Sequence, residues 1–334
     1  MGSGKWSRSF WSHMNAAHRA AGTDPFAYSA SIRSGRAAAR VHPTLDPLNV
    51  KGRESRDSAD HANSNPVAVL FDVTGSMGAV PKILQEKLGG LMTLLLTKNY
   101  LTDPQILFGG IGDALCDCVP LQVGQFESDN RMDECLTNIY LEGGGGGQKE
   151  ESYDLALYFM ARKTELDSLQ KRGKRGYLFL IGDELCRPVI SRDAVQGLIG
   201  DRLEDDLPVA DIVAELKQKY DTYFVIPVAG VTHGRDPEIY ESWSALLGAD
   251  HVIRVEGVDS ICEIIGLTIG LAEGRLDDID DGMADLRDIG TKDAAAAAVS
   301  KALVPVAAAR ALAARPGTAS APLPDSGGGP VMRL

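Results

Sequence analysis

The stretch Val67-Ala68-Val69-Leu70-Phe71-Asp72-Val73-Thr74-Gly75-Ser76-Met77 decides the fold. Val67 to Phe71 is a continuous apolar run of strand length. A run without polar alternation suits a strand buried on both faces of a parallel sheet. It stops at a carboxylate, Asp72, and two hydroxyls follow at alternate positions, Thr74 and Ser76. Alternate residues in an extended turn point the same way, so Asp72, Thr74 and Ser76 can converge on one point. Gly75 between them lets the turn be tight. A carboxylate with hydroxyl oxygens is a hard ligand set, suited to Mg²⁺, Mn²⁺ or Ca²⁺ rather than to zinc.

Outward from this stretch, strands and helices alternate. Val80 to Leu96 reads as a helix, with Ile83, Leu84, Leu88, Leu91 and Leu95 at helical spacing. Ile106-Leu107-Phe108 starts a second strand that runs toward Asp113, and a shorter strand lies near Val119 to Val123. Met132 to Tyr140 reads as a short helix, a glycine run spans Gly143 to Gly147, and Glu151 to Thr164 reads as a helix. Tyr177 to Ile181 is the clearest later strand and ends at Gly182-Asp183-Glu184. Helix Val209 to Lys219, strand Tyr223 to Val228, helix Ile239 to Leu247, strand His251 to Val255 and helix Ile261 to Ala272 complete the series. The pattern predicts an α/β domain over residues 66–272, a doubly wound and mostly parallel sheet with helices on both faces, Rossmann-like in class. Ligands of such sheets bind beyond the carboxyl ends of the strands. Asp72 and Asp183 both fall at that edge.

The flanks differ in composition. Residues 1–65 are rich in Ala, Ser, Arg and His, show no long periodic segment, and read as an extension that wraps on the domain or on a partner. Residues 273–334 hold an acidic segment, an Ala-rich stretch of high helix propensity from Asp293 to Ala314, and a Pro, Gly, Ser and Ala tail expected to be disordered.

With 334 residues, the chain can hold one large core with extensions. A formal net charge of −12 disfavours nonspecific nucleic-acid binding and docking on anionic membranes, so neither partner is expected. No signal peptide is visible, and the apolar runs are of strand length, short of the roughly 20 residues that span a bilayer. Five cysteines, odd in number and without a CxxC pair, read as reduced thiols in a cytoplasmic protein.

Asp72-Val73-Thr74-Gly75-Ser76, after its apolar strand, resembles the first element of the metal-ion-dependent adhesion site of von Willebrand factor A domains. The alternation over residues 66–272 resembles that family as well. The resemblance implies that Asp72, Thr74 and Ser76 bind a divalent ion, Mg²⁺ or else Mn²⁺ or Ca²⁺, and that Asp183 sits nearby. It also implies a further ligand from a loop before a middle helix. At that loop the sequence reads Gly143 to Gly147 and then Gln148-Lys149-Glu150-Glu151. The ligand there is Gln148, Glu150 or Glu151, or is missing. A subset of alpha-kinase-linked A domains resembles the chain here, and its Asp after the second strand is matched by Asp113. Intracellular members of the family often act as adaptors for AAA+ ATPases.

Other chemistries find less support. Gly143 to Lys149 lacks a Ser or Thr after the lysine and does not follow a strand, which excludes a nucleotide P-loop. There is no Gly-x-Ser-x-Gly elbow. Thr74 stands where a phospho-aspartate hydrolase needs a second Asp. Asp113, Asp117 and Glu184 read as rim charge, and Asp72, Ser76 and Asp183 could instead cap local structure. The leading expectation is a non-enzymatic binding module: a partner protein's carboxylate fills an open position on the cation. A metal-dependent hydrolase or phosphotransfer enzyme, with Asp113 or Glu184 as base, and an assembly role for the extensions are the alternatives.

Overall fold

The computed structural model describes residues 4–48, 50–144 and 149–313, with Ser76 and Ala313 in backbone only. The disordered-tail expectation, for residues beyond Arg315, lies outside the described residues.

Period-two side-chain alternation explains how one apolar run feeds two cores. In β1 (Asn65–Asp72) every residue is buried. Val67, Val69 and Phe71 join one hydrophobic cluster, while Ala68 and Leu70 join another on the opposite face. The same split runs through β2 (Pro104–Ile111), with Ile106 and Phe108 against Leu107 and Ile111. It recurs in β5 (Gly176–Ile181), with Tyr177, Phe179 and Ile181 against Leu178 and Leu180. A strand buried on both faces cannot show the polar alternation of a half-solvated one, so these runs read as continuous apolar stretches.

The central sheet has six strands. The others are β3 (Leu121–Val123), β7 (Tyr220–Pro227) and β8 (Val252–Val255). The order across the sheet is β8-β7-β5-β1-β2-β3. All pairs are parallel except β2 with β3, which is antiparallel, so the sheet is mixed. The antiparallel pairing follows from the short return: the chain leaves Ile111 and re-enters at Leu121, too few residues for a crossover helix. Beside it, β4 (Glu150–Glu151) and β6 (Leu185–Cys186) form a small parallel pair.

Helices cover both faces. Leu84, Leu88 and Leu91 of α2 (Val80–Met92) and Ile261, Ile264 and Ile265 of α6 (Ile261–Ala272) line one cluster. Leu155 and Phe159 of α3 (Tyr153–Arg162), Ile212 and Leu216 of α4 (Val209–Lys219), and Ile239 and Trp243 of α5 (Pro237–Leu247) line the other.

The extensions carry more order than composition suggests. Helix α1 (Arg8–Ala21) sits in the region read as lacking a periodic segment. Ser7 caps its first turn and Gly22, at φ 62°, ends it in the left-handed conformation that glycine adopts freely. Its Trp11 ring lies where a Cβ on Gly89 would be, 2.5 Å from the ring edge. These caps and this notch fix the helix, whose Phe10, Trp11 and Met14 share one face and whose Trp11 packs against the core. At the other end, α7 (Ile279–Asp288) precedes α8 (Asp293–Ala313). The Ala-rich expectation thus holds as a helix. Contrary to the reading of strand-length apolar runs, Asp293–Leu312 is long and apolar enough to cross a membrane by length and composition. Here it lies on the body through Val299, Leu303 and Val306.

Candidate metal centre

The loop after β1 turns on its own strand-end acid. Asp72 is fully buried, and its Oδ1 accepts hydrogen bonds from the Thr74 amide at 2.7 Å and the Thr74 hydroxyl at 2.6 Å. This is an Asx-type turn, in which a short carboxylate satisfies the amide two residues on. It leads into a short 3₁₀ turn, Gly75–Met77. The Gly75 amide donates to the Gly144 carbonyl at 2.7 Å. A Cβ on Gly75 would meet the Gly143 and Gly144 carbonyls at 3.3 and 3.4 Å, so glycine lets the two loops approach.

Two further acids arrive from the β4–β6 pair and the end of β5. Glu151, on β4, is 3% exposed; Glu184, immediately before β6, is 7% exposed. One carboxylate oxygen each from Asp72, Glu151 and Glu184 can be chosen so that all lie within 4.8 Å of one another. For comparison, opposite oxygens on Ca²⁺ or Mg²⁺ stand roughly 4 to 5 Å apart. Asp72 Oδ2, Glu151 Oε2 and Glu184 Oε2 are buried and have no hydrogen-bond partner among the described residues. A buried carboxylate oxygen without a donor is costly, by about 1–3 kcal/mol or more. Three buried acids with oxygens this close, each also keeping an oxygen without a donor, form an all-oxygen donor set that fits a divalent cation.

The electrostatics agree. Burial, reinforced by Glu184 and Asp183, pushes the Asp72 carboxyl up to about 8 against the two hydrogen bonds from Thr74. Burial also raises Glu151, with Asp72 and Glu184 adding to it, and raises Glu184, with Asp183 adding to it. Glu184 is hydrogen-bonded to Glu151, so without a cation one carboxyl of that pair holds a proton.

Of the expected ligands, Asp72 and Glu151 enter this cluster. Thr74 is buried beside it and spends its hydroxyl on Asp72. Asp183 is fully buried but is not one of the three; its Oδ2 accepts from the His233 amide at 2.7 Å. Gln148 and the Ser76 side chain lie outside the described residues. Glu184, read from sequence as rim charge, is in the cluster. The signal for it is its place one residue past the second strand-end Asp, where the chain turns inward again to pair β6 with β4.

Asp113 is 1% exposed and does not join the three. Its carboxylate accepts from Arg187 at 2.6 Å, the Leu115 amide at 2.9 Å and the Cys116 thiol at 3.3 Å. Burial pushes its carboxyl up, but these partners outweigh burial and hold it below its ordinary value. An acid so engaged is a poor general base. Cys116 and Cys118 are exposed thiols.

Trp243 supports Glu184 from below. Its indole stacks on Phe224 at 3.8 Å between centroids and donates to the Glu184 carbonyl at 2.9 Å. Trp243→Phe keeps the stack and orphans that carbonyl. We expect a loss of about 1–3 kcal/mol, read as a lower urea midpoint at unchanged m. An unchanged midpoint would mean water replaces the indole.

No family model matches the chain, and no curated protein does. Among solved structures, the chain is similar to the pilus adhesin SpaC of Lactobacillus rhamnosus GG. Against its open conformation the identity is 7% and the TM-score 0.43, over 66% of this chain and 31% of the adhesin. Against a second form they are 8% and 0.45, over 66% and 32%. The chain thus spans about a third of the length of these adhesins.

These findings correct the resemblance to von Willebrand factor A domains. No model of that family matches, and the sheet carries an antiparallel pair at its edge. The motif behind the resemblance is local: Asp-x-Thr closes an Asx-type turn, which many strand ends use. The adaptor role beside an AAA+ ATPase is implied by that resemblance alone and has no separate support in the fold.

Proposed function

We propose that the chain is a divalent-cation-dependent protein-recognition module, its cation held by Asp72, Glu151 and Glu184. The observation that carries this reading is the trio of buried carboxylates whose ligand oxygens come within 4.8 Å of one another, each acid also keeping one oxygen without a donor among the described residues. Mg²⁺ is the cation first in view, with Mn²⁺ and Ca²⁺ as substitutes, because the donors are all oxygen. We read the sheet as doubly wound, with the strand order reversing between β1 and β5, where Asp72 and Asp183 both end strands. That junction is where ligands of doubly wound sheets bind.

The route to a partner is a lip of bare backbone. Gly75, Gly143 and Gly144 are exposed, and a Cβ on Gly144 would meet nothing within 4 Å. A partner's Asp or Glu would complete the coordination, and the exposed glycines beside the Asp72 turn offer it backbone without side chains to displace. That charge-assisted bond depends on the ion and vanishes when a chelator removes it. The five thiols, none of them in a disulfide, are compatible with a reducing compartment, which is the support for a cytoplasmic setting.

The test begins with calorimetric titration of Mn²⁺ and Mg²⁺ into the full chain. Saturable uptake is expected. A short acidic peptide should then bind the loaded protein and be released by EDTA, while its Asp→Asn counterpart should not bind. No uptake at millimolar Mn²⁺ would sink the cation site; peptide capture that persists in EDTA would sink the recognition role.

A further inference from the structure

Tyr153, the first residue of α3, is fully buried. Its ring packs edge-on to Phe224 at 5.5 Å and to Trp243 at 5.3 Å between centroids. That packing needs the ring and makes no use of the hydroxyl; phenylalanine would fill the same space. The hydroxyl nevertheless is present, buried, and without a hydrogen-bond partner among the described residues.

Its location is fixed by Gly182. A Cβ on Gly182 would lie 1.7 Å from the Tyr153 oxygen, a distance no side chain tolerates. Gly182 directly precedes Asp183 and Glu184, so the hydroxyl sits at the carboxyl end of β5, where the acid cluster converges. The absence of a side chain at 182 is what makes room for it. An unsatisfied buried hydroxyl destabilises the fold, which a purely packing role would not retain. A phenol keeps its proton at neutral pH, so the group is a donor rather than a phenolate.

We propose that Tyr153 is a positioning residue of the cation centre: its hydroxyl, held in the clearance at Gly182, donates a hydrogen bond to a carboxylate oxygen or bound water of the loaded site. This rests on the cation reading above. Donors just outside a metal's ligands fix ligand orientation, and their loss typically lowers affinity 10- to 100-fold. In the cation-free protein the same hydroxyl is a burden, so the two states respond to its removal in opposite directions.

Tyr153→Phe separates these effects. Two measurements are made on the full chain: the thermal midpoint in EDTA and the Mn²⁺ affinity by calorimetry. The expected result is an unchanged or raised midpoint without cation together with an affinity at least about tenfold weaker. Unchanged affinity overturns the proposal. So does a midpoint that falls in EDTA in parallel with affinity, because the hydroxyl would then be structural. Wild type that takes up no Mn²⁺ overturns the cation reading itself, and that outcome is read from wild type before any variant is compared.

Discussion

Asp72→Asn should abolish cation uptake while leaving the cation-free protein as stable as wild type or more so. The two halves of that expectation have separate causes. The Asn carbonyl still accepts from the Thr74 amide and hydroxyl, so the turn after β1 survives. Its amide nitrogen takes the place of Oδ2, which is buried without a partner, and can donate toward the Glu151 and Glu184 oxygens. A hydrogen bond to a charged group contributes about 1.5–3 kcal/mol, so a higher urea midpoint in EDTA is expected. Cation affinity depends on the number of charged ligands, and losing one of three should weaken it by at least about 100-fold. Asp72→Ala behaves differently, because it also strips the Thr74 amide of its acceptor and should cost about 1 kcal/mol. The pair decides between the cation site and a capping role. If Asp72 only caps, Asn is silent, Ala destabilises, and neither changes Mn²⁺ uptake in calorimetry. That pattern would leave the cation reading without its first ligand.

The same residue shows what a sequence can carry. The parallel core was legible because strands buried on both faces read as continuous apolar runs; Val67 to Phe71 and Tyr177 to Ile181 could hardly be anything else. The strand-end acid at Asp72 was legible for the same reason, since a carboxylate ending such a run sits at the sheet edge. Asp183 stands at the same edge, outside the three acids that come closest. Which neighbour an acid finds depends on the loop that comes back over it, here the one that brings the His233 amide to Asp183. Glu184 was missed because its burial depends on a two-residue pairing, β4 with β6, whose partners stand 35 residues apart and carry no periodic signal. The antiparallel edge strand had the same difficulty: three residues, Leu121-Gln122-Val123, give a strand but not its direction. Helix α1 puts only Phe10, Trp11 and Met14 on its apolar face, a short signal among Ser, His and Arg, and its order is completed by caps and by the tryptophan seated over Gly89.

In EDTA the protein should lose stability as the pH rises from about 5 to 8, and a saturating cation should remove that loss. Burial raises the folded-state value of Asp72 from 3.8 to about 8, with Glu184 and Asp183 contributing. The folded chain therefore binds more protons than the unfolded chain between those values. Stability falls with pH wherever the folded state holds the extra proton, so the contribution is complete below about 4 and is lost as pH climbs to about 8. At about 1.4 kcal/mol per unit, a shift of this size is worth on the order of 5 kcal/mol as an upper bound. Glu151 and Glu184 are raised by burial as well and push in the same direction. A divalent cation needs the ionised forms, so it must displace these protons, and its apparent affinity should rise about tenfold per pH unit for each proton displaced below pH 8. Urea midpoints at pH 5, 6.5 and 8, with and without Mg²⁺, test the first claim. Titrations at pH 6.5 in buffers of different ionisation heat count the protons released and test the second. A midpoint that stays level across this range in EDTA would mean the three acids are solvated or otherwise paired. Cation uptake without proton release would place the ion at some site other than Asp72, Glu151 and Glu184.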